Sequence, residues 1–303
     1  MYDIIVIGGG AAGMTAALYA LRNGKKVLVL EGESLGGQIA TSPRLENFPS
    51  IKEISGEAFA DNLFDQITSL GAEVEIERAV HVEKRGEGDF YVQTEFGGYE
   101  GRSVIVAAGV KHKHLPAERG HEALVGKGIY YCAVCDGPFY KGKEVAVVGD
   151  ANSALQYALL LSGYCKKVTM FTLFDKFFGD TSLVKALRAK ENIEVLPETN
   201  VVGFAGEREL TAVEYTDKQG KRHKKEVPAV FIAIGQEPDN AAFANVADLD
   251  AAGYIVADES CKTKTAGVFV AGDCRTKAVR QVSTAVSDGA IAATNASLYL
   301  ESL

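Results

Sequence analysis

The sequence predicts an α/β fold of two Rossmann-like, three-layer domains of the nucleotide-binding type, with the second domain inserted into the first. Strand-like apolar runs alternate with helix-like segments along the chain, which is typical of a largely parallel sheet covered by helices. A strand–turn–helix–strand unit occurs near the start of the chain and again near its middle. The 303 residues are also enough for two domains that each bury a core.

The first unit starts at the beginning of the chain. We predict a strand over residues 2–7, a helix over residues 11–23 and a second strand over residues 26–31. Both predicted strands are short and apolar, and the segment between them is long enough for a helix of about three turns. Such a unit places its strand-to-helix turn at the carboxyl edge of a sheet.

The second unit repeats this order of elements. We predict a strand over residues 144–148, a helix over residues 153–162 and a strand over residues 167–171. Two more apolar runs resemble each other, residues 103–109 (SVIVAAG) and 229–235 (AVFIAIG), and each ends in glycine. The repetition indicates a duplicated architecture rather than a repeat of short period.

The domain boundaries follow from this duplication. We assign residues 1–113 and 241–303 to the first domain and residues 114–240 to the inserted one. No low-complexity linker separates them, so the chain must cross in short segments near residues 110–116 and 236–243. A pair of such crossings can serve as a hinge.

Charge and composition exclude several classes of function. Acidic residues outnumber basic ones by 40 to 32, which argues against a general nucleic-acid-binding role. No apolar run approaches the roughly 18 residues of a membrane span. The chain enters its first strand without a charged leader or cleavage site. We therefore expect a cytoplasmic protein with neither nucleic acid nor membrane as a partner.

The turn of the first unit carries a dinucleotide fingerprint, G-x-G-x-x-G, in GGGAAG at residues 8–13. Gly8 permits the tight turn, Gly10 lets the backbone approach a pyrophosphate, and Gly13 lets the helix pack against the strand. The helix N-terminus then faces the phosphates. Glu31, at the end of the second strand, is placed to accept hydrogen bonds from ribose hydroxyls. Together these features predict a dinucleotide site.

A cysteine pair, Cys132 and Cys135, is followed directly by Asp136. A zinc site would need two more ligands, and the other cysteines are scattered singly with no histidine close by. A redox dithiol needs only two thiols about one helical turn apart, one of them a good thiolate at a helix N-terminus. We therefore expect a redox-active pair and no metal, with Asp136 as a proton-transfer group. The remaining cysteines are expected to be packing residues: Cys165, Cys261 and Cys274.

These motifs together resemble the low-molecular-weight thioredoxin reductases, which are flavoprotein disulfide reductases. The resemblance runs from end to end and rests on residues 8–13, 36–38, 46–49, 107–109, 132–136, 271–274 and 280–281. It implies a homodimer that binds FAD and reduces thioredoxin. It also implies a set of FAD-binding residues: Gly8, Gly10, Ala11, Ala12, Gly13, Glu31, Gly37, Gln38, Asn47, Val80, Ala108, Gly109, Asp273, Arg280, Gln281 and Val282.

The resemblance also implies the division of labour at the cysteine pair. Cys135 would face the flavin, Cys132 would exchange with the disulfide of thioredoxin, and Asp136 would protonate or deprotonate the thiol nearest the flavin. Because flavin and thioredoxin must reach the same dithiol, the inserted domain would have to swing between two orientations.

The turn of the second unit departs from the family's nucleotide motif. It reads GDANSA over residues 149–154, so that Ala151 puts a methyl group where a pyrophosphate should approach the backbone. Asp150 adds a negative charge where an anion should be accepted. Both changes weaken the prediction of a pyridine-nucleotide site.

The basic clamp for a 2′-phosphate is also missing from its expected place. Residues 172–178 read TLFDKFF, and no arginine occurs between Thr172 and Arg188. Thr172 offers no carboxylate for a free 2′-hydroxyl, although Asp175 keeps NADH open as a donor. We therefore expect the inserted domain not to bind NADPH.

The departures match a subgroup of the family, the ferredoxin-dependent flavin thioredoxin reductases. Ferredoxins lie at roughly −400 mV and thioredoxins at roughly −270 mV, so two electrons pass downhill by about 6 kcal/mol. A flavin can bridge a one-electron donor and a two-electron disulfide. An acidic ferredoxin would dock on basic segments, for which residues 111–114 and 221–225 are candidates.

Three other functions stay open from the sequence. They are an ordinary NADPH- or NADH-dependent thioredoxin reductase, a flavin dithiol oxidase that passes electrons to oxygen, and a non-enzymatic flavin redox sensor. Asp136 argues against the sensor, because a sensor needs no proton-transfer group.

Overall fold

The computed structural model describes residues 1–42, 45, 47–113, 115 and 121–303. The strands are β1 (Tyr2–Ile7), β2 (Val27–Leu30), β3 (Glu73–Glu75), β4 (Ala79–Gly86), β5 (Asp89–Thr94), β6 (Gly98–Val106), β7 (Lys111–His112), β8 (Ile129–Tyr130), β9 (Glu144–Val148), β10 (Lys167–Phe171), β11 (Ile193–Leu196), β12 (Asn200–Ala205), β13 (Ala212–Thr216), β14 (Arg222–Glu226), β15 (Val230–Ile232), β16 (Gln236–Glu237) and β17 (Val268–Val270). The α-helices are α1 (Ala11–Arg22), α2 (Gly56–Ser69), α3 (His121–Leu124), α4 (Ala133–Asp136), α5 (Asn152–Ser162), α6 (Thr181–Arg188) and α7 (Val282–Glu301).

The chain divides into two units, Met1–Lys111 with Glu237–Leu303, and His112–Gln236. It passes between them at β7 and β16, which pair with each other as a two-stranded sheet. The short strands at these crossings leave no room for a long linker. The first unit is therefore built from both ends of the chain, and the second from its middle.

The sheet of the first unit has the order β3-β2-β1-β6-β5-β4, with β17 also paired to β6. β1, β2, β3, β6 and β17 run parallel, whereas β4 and β5 extend the sheet as antiparallel strands. Helices α1, α2 and α7 pack against an apolar core on one face of the strands. The carboxyl ends of β1, β2 and β17 meet at one edge, where ligands bind in open α/β sheets.

The second unit has a parallel sheet in the order β11-β10-β9-β15-β8. A separate antiparallel sheet, β12-β13-β14, packs beside it through a shared apolar core. Residues 217–221 form the hairpin turn between β13 and β14. Helix α5 follows β9 just as α1 follows β1 in the first unit.

The α/β class predicted from the sequence is confirmed, with parallel sheets at the centre of both units. β1, β9 and β10 have the predicted bounds. β2 is one residue shorter at each end than predicted, and α1 ends at Arg22 with Asn23 as its C-cap. Such differences are expected, because element ends fray and are set by capping. In the described part of the chain, no helix has the length and apolarity to cross a membrane.

Candidate functional site

The glycine turn after β1 is shaped by close backbone contacts. Gly8 has φ +113°, and a Cβ at this position would overlap the carbonyl group of Ala107, the residue just after β6. A Cβ on Gly13 would overlap the carbonyl oxygen of Gly8. Both positions therefore require glycine for reasons internal to the protein.

Gly10 differs from Gly8 and Gly13, because a Cβ there would overlap none of the atoms that the structure describes. It is the N-cap of α1 with extended backbone, and a Cβ there would meet its nearest neighbour, Gly36 O, only at 3.8 Å. Helix α1 begins directly after Gly10, with the N–H groups of Ala11 and Ala12 in its first turn. Unpaired N–H groups and the helix dipole there suit a phosphate.

Glu31 follows β2 and is anchored by two main-chain N–H groups. Gly9 N donates to Glu31 Oε2 at 2.7 Å, and Glu33 N donates to Glu31 Oε1 at 2.8 Å. The carboxylate is thereby held beside the glycine turn. Each carboxylate oxygen keeps further acceptor capacity for a hydroxyl group.

Asp273 lies in the loop after β17 and carries an unsatisfied acceptor. Its Oδ1 is buried and has no hydrogen-bond partner among the described residues. Burial raises the pKa of this carboxyl, an effect that Lys277 and Arg280 oppose. Arg280 Nε donates to Asp273 O at 3.3 Å, and its guanidinium lies 4.2 Å from the ring centre of Tyr254. A buried acceptor of this kind calls for a donor such as a ligand hydroxyl.

Other predicted cofactor residues lie elsewhere in the same unit. Gln38 Nε2 donates to Val110 O, and Asn47 Nδ2 donates to Gln281 Oε1 at 3.1 Å. Gln281 is the N-cap of α7. The remaining predicted positions are Gly37, with φ +60°; Val80, exposed in β4; Ala108 and Gly109, after β6; and Val282, the first residue of α7. Glu46 lies outside the described residues.

A buried ionic cluster beside Asp273 escaped the sequence analysis. Asp288 on α7 receives two hydrogen bonds of 2.9 Å from Arg275 and one of 2.8 Å from Lys277. Burial alone would raise the pKa of Asp288, but these hydrogen bonds hold it below its ordinary value. The sequence feature that could have indicated this cluster is Asp288 itself, a carboxylate within a helix of mostly small and apolar residues.

In the second unit, Cys132 and Cys135 form a disulfide. Cys132 is the N-cap of α4, and Cys135 N donates to its Sγ at 3.2 Å. Tyr157 on α5 donates to the carbonyl oxygen of Tyr131, which holds the chain just before the pair. A main-chain N–H directed at Cys132 Sγ favours the thiolate at that sulfur once the disulfide is reduced. Val134, between the two cysteines, is exposed.

Asp136 ends α4 and is buried, in contrast to the solvated aspartate that its charge alone would suggest. Its Oδ1 has no hydrogen-bond partner among the described residues. Burial raises its pKa to about 7. Such a carboxyl exchanges its proton near neutral pH, which suits a general acid and base.

The turn after β9 resembles the first turn in its backbone but not in its side chains. Gly149 has φ +139°, and Ala151 is the N-cap of α5 with φ −109° and ψ −178°. Asp150 is partly buried, and burial raises the pKa of its carboxyl. The methyl group and the carboxyl group both lie at the place where a dinucleotide turn accepts phosphate.

The segment after β10 presents apolar groups in place of a basic clamp. Leu173, Phe174 and Phe178 are 58%, 46% and 53% exposed, and the two phenylalanine rings contact each other. Phe178 N donates to Asp150 O at 2.8 Å. The only cation within residues 172–180 is Lys176, which lies over the Phe178 ring.

The two basic segments proposed for docking are accompanied by acids. Lys111 pairs with Glu33 at 2.8 Å, and His114 lies outside the described residues. His223 contacts Asp217 at 2.7 Å, and the hairpin's Lys225 lies 3.5 Å from Glu194. The free cysteines Cys165, Cys261 and Cys274 are buried. Among the described residues, no cluster of three or more potential ligands is arranged to hold a metal.

Comparison with known proteins identifies relatives along the whole chain. Residues 2–289 match the family model "Pyridine nucleotide-disulphide oxidoreductase". A "34.2 kDa protein in rubredoxin operon" from Clostridium pasteurianum is 36% identical over 300 residues, covering 98% of this chain and 97% of the relative. A "Thioredoxin reductase" from Treponema pallidum is 36% identical over 304 residues, covering 100% of this chain and 98% of the relative.

The fold has a close counterpart among solved structures. The crystal structure of thioredoxin reductase from Streptococcus pyogenes MGAS5005 superposes with a TM-score of 0.95 at 33% identity. The alignment covers 100% of this chain and 99% of that one. The aligned region therefore includes the residues of both units.

Proposed function

Because the chain belongs to the low-molecular-weight thioredoxin reductases of the pyridine nucleotide-disulphide oxidoreductase family, we propose that it reduces the disulfide of thioredoxin. The observation that carries this proposal is the Cys132–Cys135 disulfide, followed directly by the buried Asp136. A redox pair joined to a carboxyl with a pKa of about 7 has the groups that thiol–disulfide exchange needs.

Proteins of this kind are FAD-binding flavoproteins, and the first unit fits this cofactor. The uncrowded backbone at Gly10 suits the pyrophosphate, Glu31 suits a ribose, and the unsatisfied Asp273 Oδ1 suits a further hydroxyl. Bound FAD supplies reducing equivalents to the disulfide and accepts electrons singly or in pairs. We assign the binding of FAD to the residues that the resemblance implies.

The exchange with thioredoxin balances within the cysteine pair. In the reduced enzyme, the Cys132 thiolate attacks the disulfide of thioredoxin, forms a mixed disulfide and expels one thioredoxin thiolate. The Cys135 thiolate then attacks Cys132 Sγ, re-forms the Cys132–Cys135 bond and expels the second thiolate. Two electrons leave the enzyme, and two protons complete the thioredoxin dithiol. In this proposal Asp136, which follows Cys135 directly in the chain, takes the proton from the Cys135 thiol.

We further propose that ferredoxin, rather than a pyridine nucleotide, is the electron donor. Ala151 and Asp150 occupy the turn where phosphate would bind, and apolar side chains follow β10 where a basic clamp would lie. The Clostridium pasteurianum relative is described as a protein in a rubredoxin operon, which also supports a protein electron carrier as donor.

NADPH is the second candidate donor, because the matching family is named for pyridine nucleotides. An anaerobic titration followed by flavin absorbance separates the two donors. We expect reduced ferredoxin to bleach the flavin, and NADPH or NADH at micromolar concentration to leave it oxidised. Rapid bleaching by NADPH would reject the ferredoxin proposal but not the thioredoxin reductase activity. That activity is tested separately, by the reduction of thioredoxin after the enzyme has been reduced chemically.

We also propose that the enzyme is a homodimer, as the resemblance implies. Sedimentation of the FAD-loaded protein checks this directly, because a dimer of the 32.3 kDa chain has twice that mass. A monomer at micromolar concentration would reject it.

A further inference from the structure

Asp288 receives hydrogen bonds from the loop that carries Asp273. Its Oδ2 accepts from Gly272 N at 3.0 Å and from Lys277 Nζ at 2.8 Å. Arg275 adds two bonds of 2.9 Å, one to each carboxylate oxygen. One carboxylate on α7 thus ties down both ends of the segment 272–277, and Asp273 lies between the tied residues.

The partners of Asp288 are buried as well. The side chains of Arg275, Lys277 and Asp288 are exposed by only 2%, 5% and 4%. A buried ion cluster is retained at a cost in desolvation, and it rarely adds net stability compared with apolar residues. Specification of a unique local geometry is one role that such clusters can serve.

The charges of the cluster are balanced only with an exposed partner. Arg275 and Lys277 face the buried carboxylate of Asp288, and Arg275 also lies 3.6 Å from the exposed Glu259. Asp273 carries a second buried carboxyl, and the charges of Lys277 and Arg280 oppose the rise in its pKa. The charge of Lys277 therefore acts on Asp288 and on Asp273 at the same time.

Helix α7 also fixes the cluster relative to the glycine turn. Gly289, the residue after Asp288, packs so closely on α1 that a Cβ there would overlap the carbonyl oxygen of Ala12. Asp288 is thus joined rigidly to the first turn of α1. Helix α7 thus connects the loop that carries Asp273 to the glycine turn that carries Gly10.

We propose that Asp288 is a positioning residue for FAD, acting by holding Asp273 and the segment 272–277 against the glycine turn. The proposal rests on FAD binding at this edge of the sheet and does not depend on the electron donor. Replacement of outer residues that orient direct ligands commonly costs 10–100-fold in affinity or activity at metal sites. We expect Asp288→Asn to raise the dissociation constant of FAD to a similar degree.

The measurement is the release of FAD from the diluted holoenzyme, followed by flavin fluorescence. Asp288→Asn, Asp273→Asn and the double variant form a thermodynamic cycle. If Asp288 acts through Asp273, the double variant loses at least fivefold less affinity than the product of the single losses. If the two single losses multiply in the double variant, Asp288 and Asp273 act independently and the proposal is overturned. A dissociation constant of Asp288→Asn for FAD within twofold of the original protein's would also overturn it.

A second variant keeps the test decisive if Asp288→Asn does not fold. Lys277→Met removes one hydrogen-bond donor to Asp288 but keeps a side chain of similar length. It leaves the two hydrogen bonds between Arg275 and Asp288 intact. It should weaken FAD binding at least threefold, and an unchanged affinity would reject the proposal. Glu301→Gln, at the exposed end of the same helix, is the matched control and should bind FAD normally. None of these outcomes changes with the donor that reduces the flavin.

Discussion

Gly10 and Ala151 occupy equivalent places in the two units. Gly10 is the N-cap of α1, which follows β1, and Ala151 is the N-cap of α5, which follows β9. Their backbones are similar, with φ −82° and ψ −174° at Gly10 and φ −109° and ψ −178° at Ala151. Only Ala151 carries a methyl group. A phosphate can approach the backbone closely in the first turn, whereas in the second the methyl group stands in its way.

The first prediction is that Gly10→Ala weakens FAD binding without unfolding the protein. The new methyl group would lie 3.8 Å from its nearest protein neighbour, so it costs little in the absence of ligand. It would occupy the space proposed for the pyrophosphate, and we expect affinity to fall by about tenfold or more, or about 1.4 kcal/mol. FAD release from the diluted holoenzyme measures this. Gly97→Ala, with open space around its Cβ, is the control.

The second prediction is that Gly13→Ala acts on stability instead. Its methyl group would overlap the carbonyl oxygen of Gly8, which is backbone and cannot move aside. We expect a loss of about 1–3 kcal/mol or more in the free energy of unfolding, as overpacking usually costs. Urea denaturation of Gly13→Ala beside Gly10→Ala checks the contrast. Equal stability of the two variants would contradict this account of the turn.

The third prediction concerns the altered turn of the second unit. If Asp150 and Ala151 obstruct a pyridine nucleotide, their joint replacement by glycine should speed flavin bleaching by NADPH or NADH at least tenfold. The reaction should still need high nucleotide concentration, because residues 172–178 provide no arginine. Stopped-flow absorbance measures the rate. No gain in the double variant would show that these two side chains are not the obstacle.

The fourth prediction separates the two cysteines. We expect Cys132→Ser to lower thioredoxin turnover at least a thousandfold, because the attacking thiolate is lost. Cys135→Ser should instead trap thioredoxin as a mixed disulfide on Cys132, visible on a non-reducing gel. Trapping by Cys132→Ser rather than by Cys135→Ser would reverse the proposed order of attack.

The fifth prediction follows from the burial of Asp136, which raises its pKa from 3.8 to about 7. The folded protein then binds more protons than the unfolded chain between about pH 4 and pH 7, so stability falls as pH rises through this range. Asp136→Asn removes this titration. From pH 4 to pH 7, the free energy of unfolding of Asp136→Asn should rise relative to that of the original protein by on the order of 4 kcal/mol. Above pH 7 the difference should stay constant.

Thermal or urea denaturation of the oxidised protein at several pH values measures this difference. A stability difference that stays constant from pH 4 to pH 8 would mean that Asp136 does not titrate there. The same variant should lose the dependence of thiol exchange on a group with a pKa near 7, if Asp136 is the proton-transfer residue.

Much of the fold was predictable from local patterns. The apolar runs that became β1, β9 and β10 are each buried in a parallel sheet, and short continuous apolar runs are typical of such strands. The glycines of the first turn and the cysteine pair before Asp136 were also visible, because a fingerprint within a strand–turn–helix unit is a local feature. Their roles in binding and catalysis stay predictions.

The cluster of Arg275, Lys277 and Asp288 was not predictable in the same way. Asp288 lies 13 residues beyond Arg275 in sequence, and only the packing of α7 beside the loop after β17 brings the charges together. Whether a given aspartate is solvated or buried depends on neighbours that are distant along the chain.

The sequence by itself determined the class of the fold, the order of its elements and the residue types at the two turns, because these depend on backbone conformation and short-range periodicity. Tertiary structure alone decided that Asp136 is buried with a raised pKa, that Asp273 keeps an unsatisfied oxygen, and that Asp288 holds the loop between Gly272 and Lys277. The physical reason is that desolvation and hydrogen-bond partnership are set by atoms from separate parts of the chain, which meet only when it folds.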